Sequence, residues 1–251
     1  GSSQALVRLA CGFASVKVSA LALGPSGVAM VAQLNTLVGL VHGVLGNGLT
    51  TGVVRLGAEF RDAPSRSALR ATATRLAIVL GAVAMLAFAV LSPWLSRWLL
   101  HDANWSLAMA LGGVAIAALL LNGVVLAMAN ADGQMTTVVR ANAVLTIASL
   151  VVFAPSCWWF GLAGGLYGSV LTYLLALPVA LWAVRIHPRG WASTLTEPGD
   201  AGLRRKLLSF YPMLWANAAM GPLAVLLVRD AVASSAGIDA AGQWQAAWRI
   251  S

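Results

Sequence analysis

The chain has 251 residues, of which 59% are hydrophobic and only 10% charged, where a soluble domain carries about 25% charged residues. No soluble core of this size hides that much apolar surface, and a mean hydropathy of +0.82 calls for a bilayer instead. The net charge of +8 does not point to nucleic acid, because the cations fall mainly between the apolar runs, as membrane orientation requires.

Isolated strands cannot satisfy their backbone in lipid, so the apolar runs read as helices. The expected fold is all-α, a polytopic transmembrane bundle of about seven or eight helices. In chain order the spans fall at residues 4–23, 28–54, 76–95, 105–129, 141–159, 162–184 and 207–233, and an eighth begins near residue 240. Gly24-Pro25-Ser26-Gly27 joins the first two as a tight, uncharged turn. The next connection holds Arg55, Arg61, Arg66, Arg70 and Arg75. In 96–104 Arg97 is balanced by Asp102, and in 130–140 Asp132 is balanced by Arg140. Phe160-Gly161 is again a tight turn, and 185–206 carries Arg185, Arg189, Arg204, Arg205 and Lys206.

The strongly basic connections lie on one side of this alternation, which puts them and the N-terminus in the cytoplasm. Trp94, Trp98, Trp105, Trp158 and Trp159 cluster at the opposite, periplasmic ends, where an amphipathic ring anchors at the interface. Residues 6–23 contain Arg8 and Lys17 and lead straight into another span, so no cleavable signal peptide is expected. Cys11 and Cys157 fall near opposite faces and are not expected to bridge. The polar stretch 188–200 is the best boundary. It divides the chain into a six-helix first lobe (1–190), a cytoplasmic connection (191–206) and the start of a second lobe (207–251), with helix seven and part of helix eight.

No enzyme motif is present. His42, His101 and His187 are scattered, no P-loop or G-x-S-x-G occurs, and no carboxylate pair sits inside a span, so no catalytic residue, cofactor or metal is expected. The informative residues are cations at membrane depth: Arg8 and Lys17 in the first span, Arg229 in the seventh and Arg249 in the eighth. Each either snorkels to the headgroups, Arg229 beside Asp230 at the periplasmic interface, or faces a cavity or partner. If they line a cavity, it attracts an anion, and phosphate suits cationic donors. The second span carries Gln33, Asn35, His42, Asn47, Thr50 and Thr51 between glycines. These either glue helices together or form a hydrated wall that contacts sugar hydroxyls. Pro155, Pro178, Pro212 and Pro222 interrupt spans, and Gly221-Pro222 is either a hinge or a static kink.

Residues 17–29, beginning Lys17-Val18-Ser19, and residues 46–55, from Gly46-Asn47-Gly48 to Arg55, resemble the first helical hairpin of Wzx-type O-antigen and enterobacterial-common-antigen (lipid III) flippases. Residues 221–230, ending Arg229-Asp230, and 241–251, with Gln243-Trp244-Gln245 and Arg249, resemble the seventh and eighth helices of the same family. The resemblance implies membership of the multidrug/oligosaccharidyl-lipid/polysaccharide exporter superfamily: two six-helix lobes around a central cavity, working by alternating access. It implies that Arg8, Lys17, Arg55, Arg229 and Arg249 meet the pyrophosphate and sugars of an undecaprenyl-linked oligosaccharide, with Gln33, Asn35, His42, Asn47 and Gln245 as polar lining. It further implies a bacterial inner-membrane location, membrane lipids as surroundings, and a polysaccharide polymerase and chain-length regulator as partners. Family members continue for several more helices, so the chain looks like an N-terminal fragment. The competing reading is a multidrug-and-toxin-type cation exporter of the same superfamily. Such exporters use carboxylates in the N-terminal lobe, whereas the first span offers Lys17 and no Asp or Glu.

Overall fold

The computed structural model describes residues 2–60, 62–100, 102–185, 200–237, 239–241 and 243–244, with side chains from residue 11 onward except at positions 16, 213 and 215–219. The described residues form helices α1 (Ser2–Glu59), α2 (Ala63–Leu99), α3 (Ser106–Ala131), α4 (Met135–Leu174), α5 (Ala176–Ala183), α6 (Ala201–Ser209) and α7 (Tyr211–Ala236), with a 3-10 turn at Ala103–Trp105 before α3. The all-α bundle expected from the sequence is therefore present.

Among the described residues, four stretches are long and apolar enough to cross a membrane: Lys17–Glu59, Ala63–Leu99, Ala103–Ala131 and Met135–Ala183. The first and last have 43 and 49 residues, roughly 65 and 74 Å of helix at 1.5 Å per residue, twice what about 30 Å of hydrocarbon needs. Each is broken by a glycine in the left-handed half of backbone space, Gly24 at φ 69° and Gly161 at φ 54°. At Gly161 the chain doubles back: a Cβ on Gly168 would sit 3.0 Å from Ser156 Cβ and 3.8 Å from the Phe153 ring, residues that a straight helix would hold roughly 18 and 22 Å away. The two breaks are neighbours, since the Leu162 side chain lies 3.6 Å from the Cβ position of Gly27. At the other end of the bundle, Gly57 abuts Ala131.

With ψ at −134°, Gly161 occupies a region open to glycine alone. Gly161→Ala is expected to cost about 1–3 kcal/mol, read as a lowered unfolding midpoint in detergent.

Three boundaries differ from the sequence reading. First, α2 starts at Ala63 rather than at residue 76, so Arg66, Arg70 and Arg75 lie on a helix and not in a loop. Asp62 caps it by accepting from Ser65 N at 2.8 Å, and Pro64 suits the first turn because its missing N–H has no intrahelical role there. The Ser65 hydrogen bonds hold the Asp62 carboxyl below its ordinary range, so this cap is intact at neutral pH and weakens as pH falls through that depressed value. Arg66 then fastens three helices: Nε donates to Phe60 O at 3.0 Å, satisfying a carbonyl just past the end of α1, and Nη1 lies 2.8 Å from Asp132 Oδ1 at the end of α3. Because both partners are about a third exposed, Asp132→Asn is expected to lower stability by only about 0.2–1 kcal/mol, measured by chemical denaturation.

Second, the sixth span breaks at Leu175, between α4 and α5. Pro178 has no N–H to give the Leu174 carbonyl four residues earlier. Third, part of the expected 185–206 loop is helix α6, capped by Asp200 Oδ1 accepting from Gly202 N at 2.7 Å. Its Leu203 and Leu207 are buried while Arg204, Arg205 and Lys206 face outward. The seventh span thus starts at Tyr211, after a break at Phe210, instead of at residue 207. Its helix runs through Gly221-Pro222 with no break.

Residues 25–59 of α1 form the central rod, and α1 packs against α2, α3, α4 and α7. Small residues bring α2 and α3 close: a Cβ on Gly113 would stand 2.9 Å from Met85 Cα, and one on Gly81 would stand 2.9 Å from Ala117 Cβ. Such contacts let membrane helices gain dispersion energy where apolar burial gives no drive. Leu34, Leu49, Met109, Ile116 and Leu120 fill the interior, while Val83, Leu86, Val90, Trp158 and Trp159 lie exposed on the outside, the surface lipid covers. Trp94 and Trp98 stack with ring centroids 5.3 Å apart.

Candidate functional site

Two places in the fold gather polar chemistry. The first is the seam between α1 and α7. These helices run antiparallel: Tyr211, at the start of α7, meets Leu45 and Gly48, and Arg229, near its end, meets Thr36. The Tyr211 hydroxyl donates to the Leu45 carbonyl at 2.7 Å, and its ring fills the space where a Cβ on Gly48 would stand, 2.8 Å away.

Arg229 is wholly buried, with 0% of its surface exposed. Its Nη2 donates to Thr36 Oγ1 at 3.3 Å. The Thr36 hydroxyl spends its own hydrogen on the Ala32 carbonyl at 2.7 Å, which leaves its lone pairs to accept. Thr36 stands roughly 18 Å along the helix from the break at Gly24, near the middle of a hydrocarbon layer of about 30 Å. The Arg229 guanidinium turns into the seam rather than outward. A cation held there is costly without a purpose.

The polar residues of the second span do not share one surface. Asn35 Oδ1 accepts from the Tyr173 hydroxyl at 3.1 Å and so faces the tail of α4. His42 packs over Gly46 beside Leu120, so it faces α3. Gln33 is buried and Asn47 exposed. For Asn35 the bond made is that of interhelical glue. Lys17 is exposed. The Arg8 side chain, Gln245 and Arg249 lie outside the described residues.

The second place is an open cleft of about 500 Å³ lined by the far end of α1, the end of α3 and the start of α4. Thr50, Thr51, Arg55, Asn130 and Asn142 give it polar walls, and Val54, Leu126 and Val138 apolar ones. Arg55 sits at its rim, 69% exposed, with Nε 3.7 Å from Glu59 Oε1 and its guanidinium 5.7 Å over the Phe210 ring. From Thr36 to Arg55 the helix rises roughly 28 Å. No single phosphate spans both, so Arg229 and Arg55 belong to separate stations rather than to one cluster. Sequence reasoning missed Thr36, Tyr173, Tyr211, Asn130 and Asn142 as site residues. An amide inside the apolar run that begins at residue 141 was the one signal for Asn142.

No protein-family model matches the chain. It is 25% identical over 260 aligned residues to the lipid III flippase of Escherichia coli (strain K12), an alignment that takes in 100% of this chain and 60% of the relative. The lipid III flippase of Shigella flexneri gives the same figures. The chain thus spans about three-fifths of the length of the curated relatives it matches. Among solved structures, an inward-facing multidrug resistance MATE family transporter of the MOP superfamily superposes with a TM-score of 0.75 over 98% of this chain and 57% of that one, at 18% identity. Sequence and fold agree: this multi-pass membrane protein has the helical architecture of a MOP-superfamily transporter and is similar along its whole length to lipid III flippases.

Proposed function

We propose that the protein carries a polyprenyl-diphosphate-linked oligosaccharide from the cytoplasmic to the periplasmic leaflet of a bacterial inner membrane, with its N-terminus in the cytoplasm. The headgroup follows a polar, cationic path between two lobes that open alternately to either side, while the lipid tail stays in the bilayer. No bond is made or broken. The observation that carries this reading is Arg229, a buried cation at mid-membrane on the α1–α7 seam. A fixed positive charge in a low-dielectric seam attracts a phosphate strongly and repels the cationic drugs that an exporter of the multidrug type would carry. The lipid III flippases similar to this chain support the same substrate class.

The test is reconstitution into liposomes with a fluorescently labelled polyprenyl-diphosphate oligosaccharide and a membrane-impermeant quencher. Label in protein-containing vesicles should become accessible to the quencher well beyond that in protein-free vesicles. Equal accessibility would remove the transport reading.

A further inference from the structure

We propose that the cavity between α1, α3 and α4 is a sugar subsite, which recognises the glycan part of the headgroup by its hydroxyl and acetamido groups and leaves the phosphates to other residues. The proposal rests on the lipid-linked-oligosaccharide reading and adds where, and by what chemistry, the sugar is read.

The walls carry two carboxamides, Asn130 and Asn142, and two hydroxyls, Thr50 and Thr51. Carboxamides and hydroxyls both donate and accept, as do sugar hydroxyls and acetamido groups. Thr50 gives its hydrogen to the Gly46 carbonyl at 3.0 Å, which leaves its oxygen lone pairs to accept. Among the described residues the Asn130 and Asn142 amides make no side-chain hydrogen bond to protein. That separates them from the glue seen elsewhere in this fold. Asn35, where glue is at work, is tied to Tyr173 on a neighbouring helix, whereas Asn130 and Asn142 stand half-exposed with their amides on open space. The volume, about 500 Å³, lies within the usual ~300–1,000 Å³ of small-molecule sites.

The charge inventory decides between sugar and phosphate. Arg55 is the cavity's one cation among its described lining residues, and Glu59 and Phe210 already share it. A diphosphate, with at least two negative charges, finds no second cation here. A neutral or singly anionic sugar finds four hydrogen-bonding side chains and, at the rim, one guanidinium able to meet a carboxylate. The apolar wall of Val54, Leu126 and Val138 suits the C–H face of a pyranose. Glycan choice would then lie in α1, α3 and α4, roughly 28 Å along α1 from the Arg229 station.

The experiment uses the chain in lipid nanodiscs and three probes: N-acetylglucosamine, glucuronate and inorganic pyrophosphate. Saturation-transfer NMR should show transfer to at least one sugar above that in empty nanodiscs. The transfer should fall roughly fivefold in each of Asn130→Leu and Asn142→Leu, stay unchanged in Gln134→Leu at the exposed turn before α4, and persist in excess pyrophosphate. Should the leucine variants fail to fold, Thr51→Cys provides a second reading: saturating sugar should slow its alkylation. No transfer to either sugar, equal transfer in the leucine variants, displacement by pyrophosphate, or unprotected Thr51→Cys would each overturn the subsite. The liposome assay reads the broader function independently. Translocation without sugar binding removes the subsite alone, and sugar binding without translocation removes the transport reading alone.

Discussion

Replacing Arg229 with leucine is expected to cut translocation of the lipid-linked oligosaccharide roughly 10- to 100-fold while the protein still folds, with a lower thermal midpoint. The two halves of that expectation rest on separate physics. A hydrogen bond to a charged group is worth about 1.5–3 kcal/mol, which is roughly 10- to 100-fold in an equilibrium. That is what the headgroup loses if Arg229 is its partner at mid-membrane. Stability falls as well, because Arg229 is fully buried and bonded to Thr36, and leucine fills less of that space and leaves the bond unmade. Arg229→Lys should recover only part of the activity, because an ammonium cannot reproduce the planar fork of a guanidinium. Quencher accessibility and the thermal midpoint, measured on the same preparation, check both halves. A variant whose transport per folded molecule is unchanged would make Arg229 a structural residue.

Gly164→Val should prevent the hairpin centred on Gly161 from closing. A Cβ on Gly164 would overlap the carbonyl oxygen of Ser156, and Phe160 Cβ is only 3.0 Å away on the same side. A backbone oxygen has no rotamer to escape into. The clash must therefore be relieved by separating the two arms, which also uncovers the contact of Gly165 with Leu23 and Val31. Overpacking of a close backbone contact costs typically 1–3 kcal/mol, occasionally more, and here the upper end, about 3 kcal/mol or beyond, is expected. The readout is the monodisperse fraction on size-exclusion chromatography and the thermal midpoint. Gly12→Ala serves as the control, since no atom of the described residues lies within 4 Å of its Cβ position. Alanine there should stabilise slightly, by about 1 kcal/mol or less.

Much of the helical plan was legible because lipid makes hydrophobicity nearly sufficient. The breaks at Gly24 and Gly161 were marked by glycine beside proline or at the end of an aromatic cluster, in otherwise unbroken apolar runs. What the pattern hid was helix continuing into water. Residues 63–75 look like a polar loop by charge, yet the Asp62 cap and the triple role of Arg66 hold them helical. The same blindness covered α6, where two buried leucines among three cations carry the helix. The site was less legible still. Arg229 stood out because a charge in an apolar run is conspicuous in one dimension. Tyr211, Tyr173 and Asn142 did not, because their meaning comes from partners over a hundred residues away or from a cavity that three helices assemble.

The unbroken half of α1 has a mechanical consequence. From Pro25 to Glu59 it is one rod, roughly 52 Å long at 1.5 Å per residue, with no internal break after Gly24. A rod of that length is a lever arm. A tilt of about 10° about one end moves the other by roughly 9 Å, close to the diameter of a helix. Arg229 grips this arm near one end through Thr36, and Phe210 and Tyr211 grip it nearer the other. Whatever loosens one grip is thus felt at the other without any bending of the helix between them.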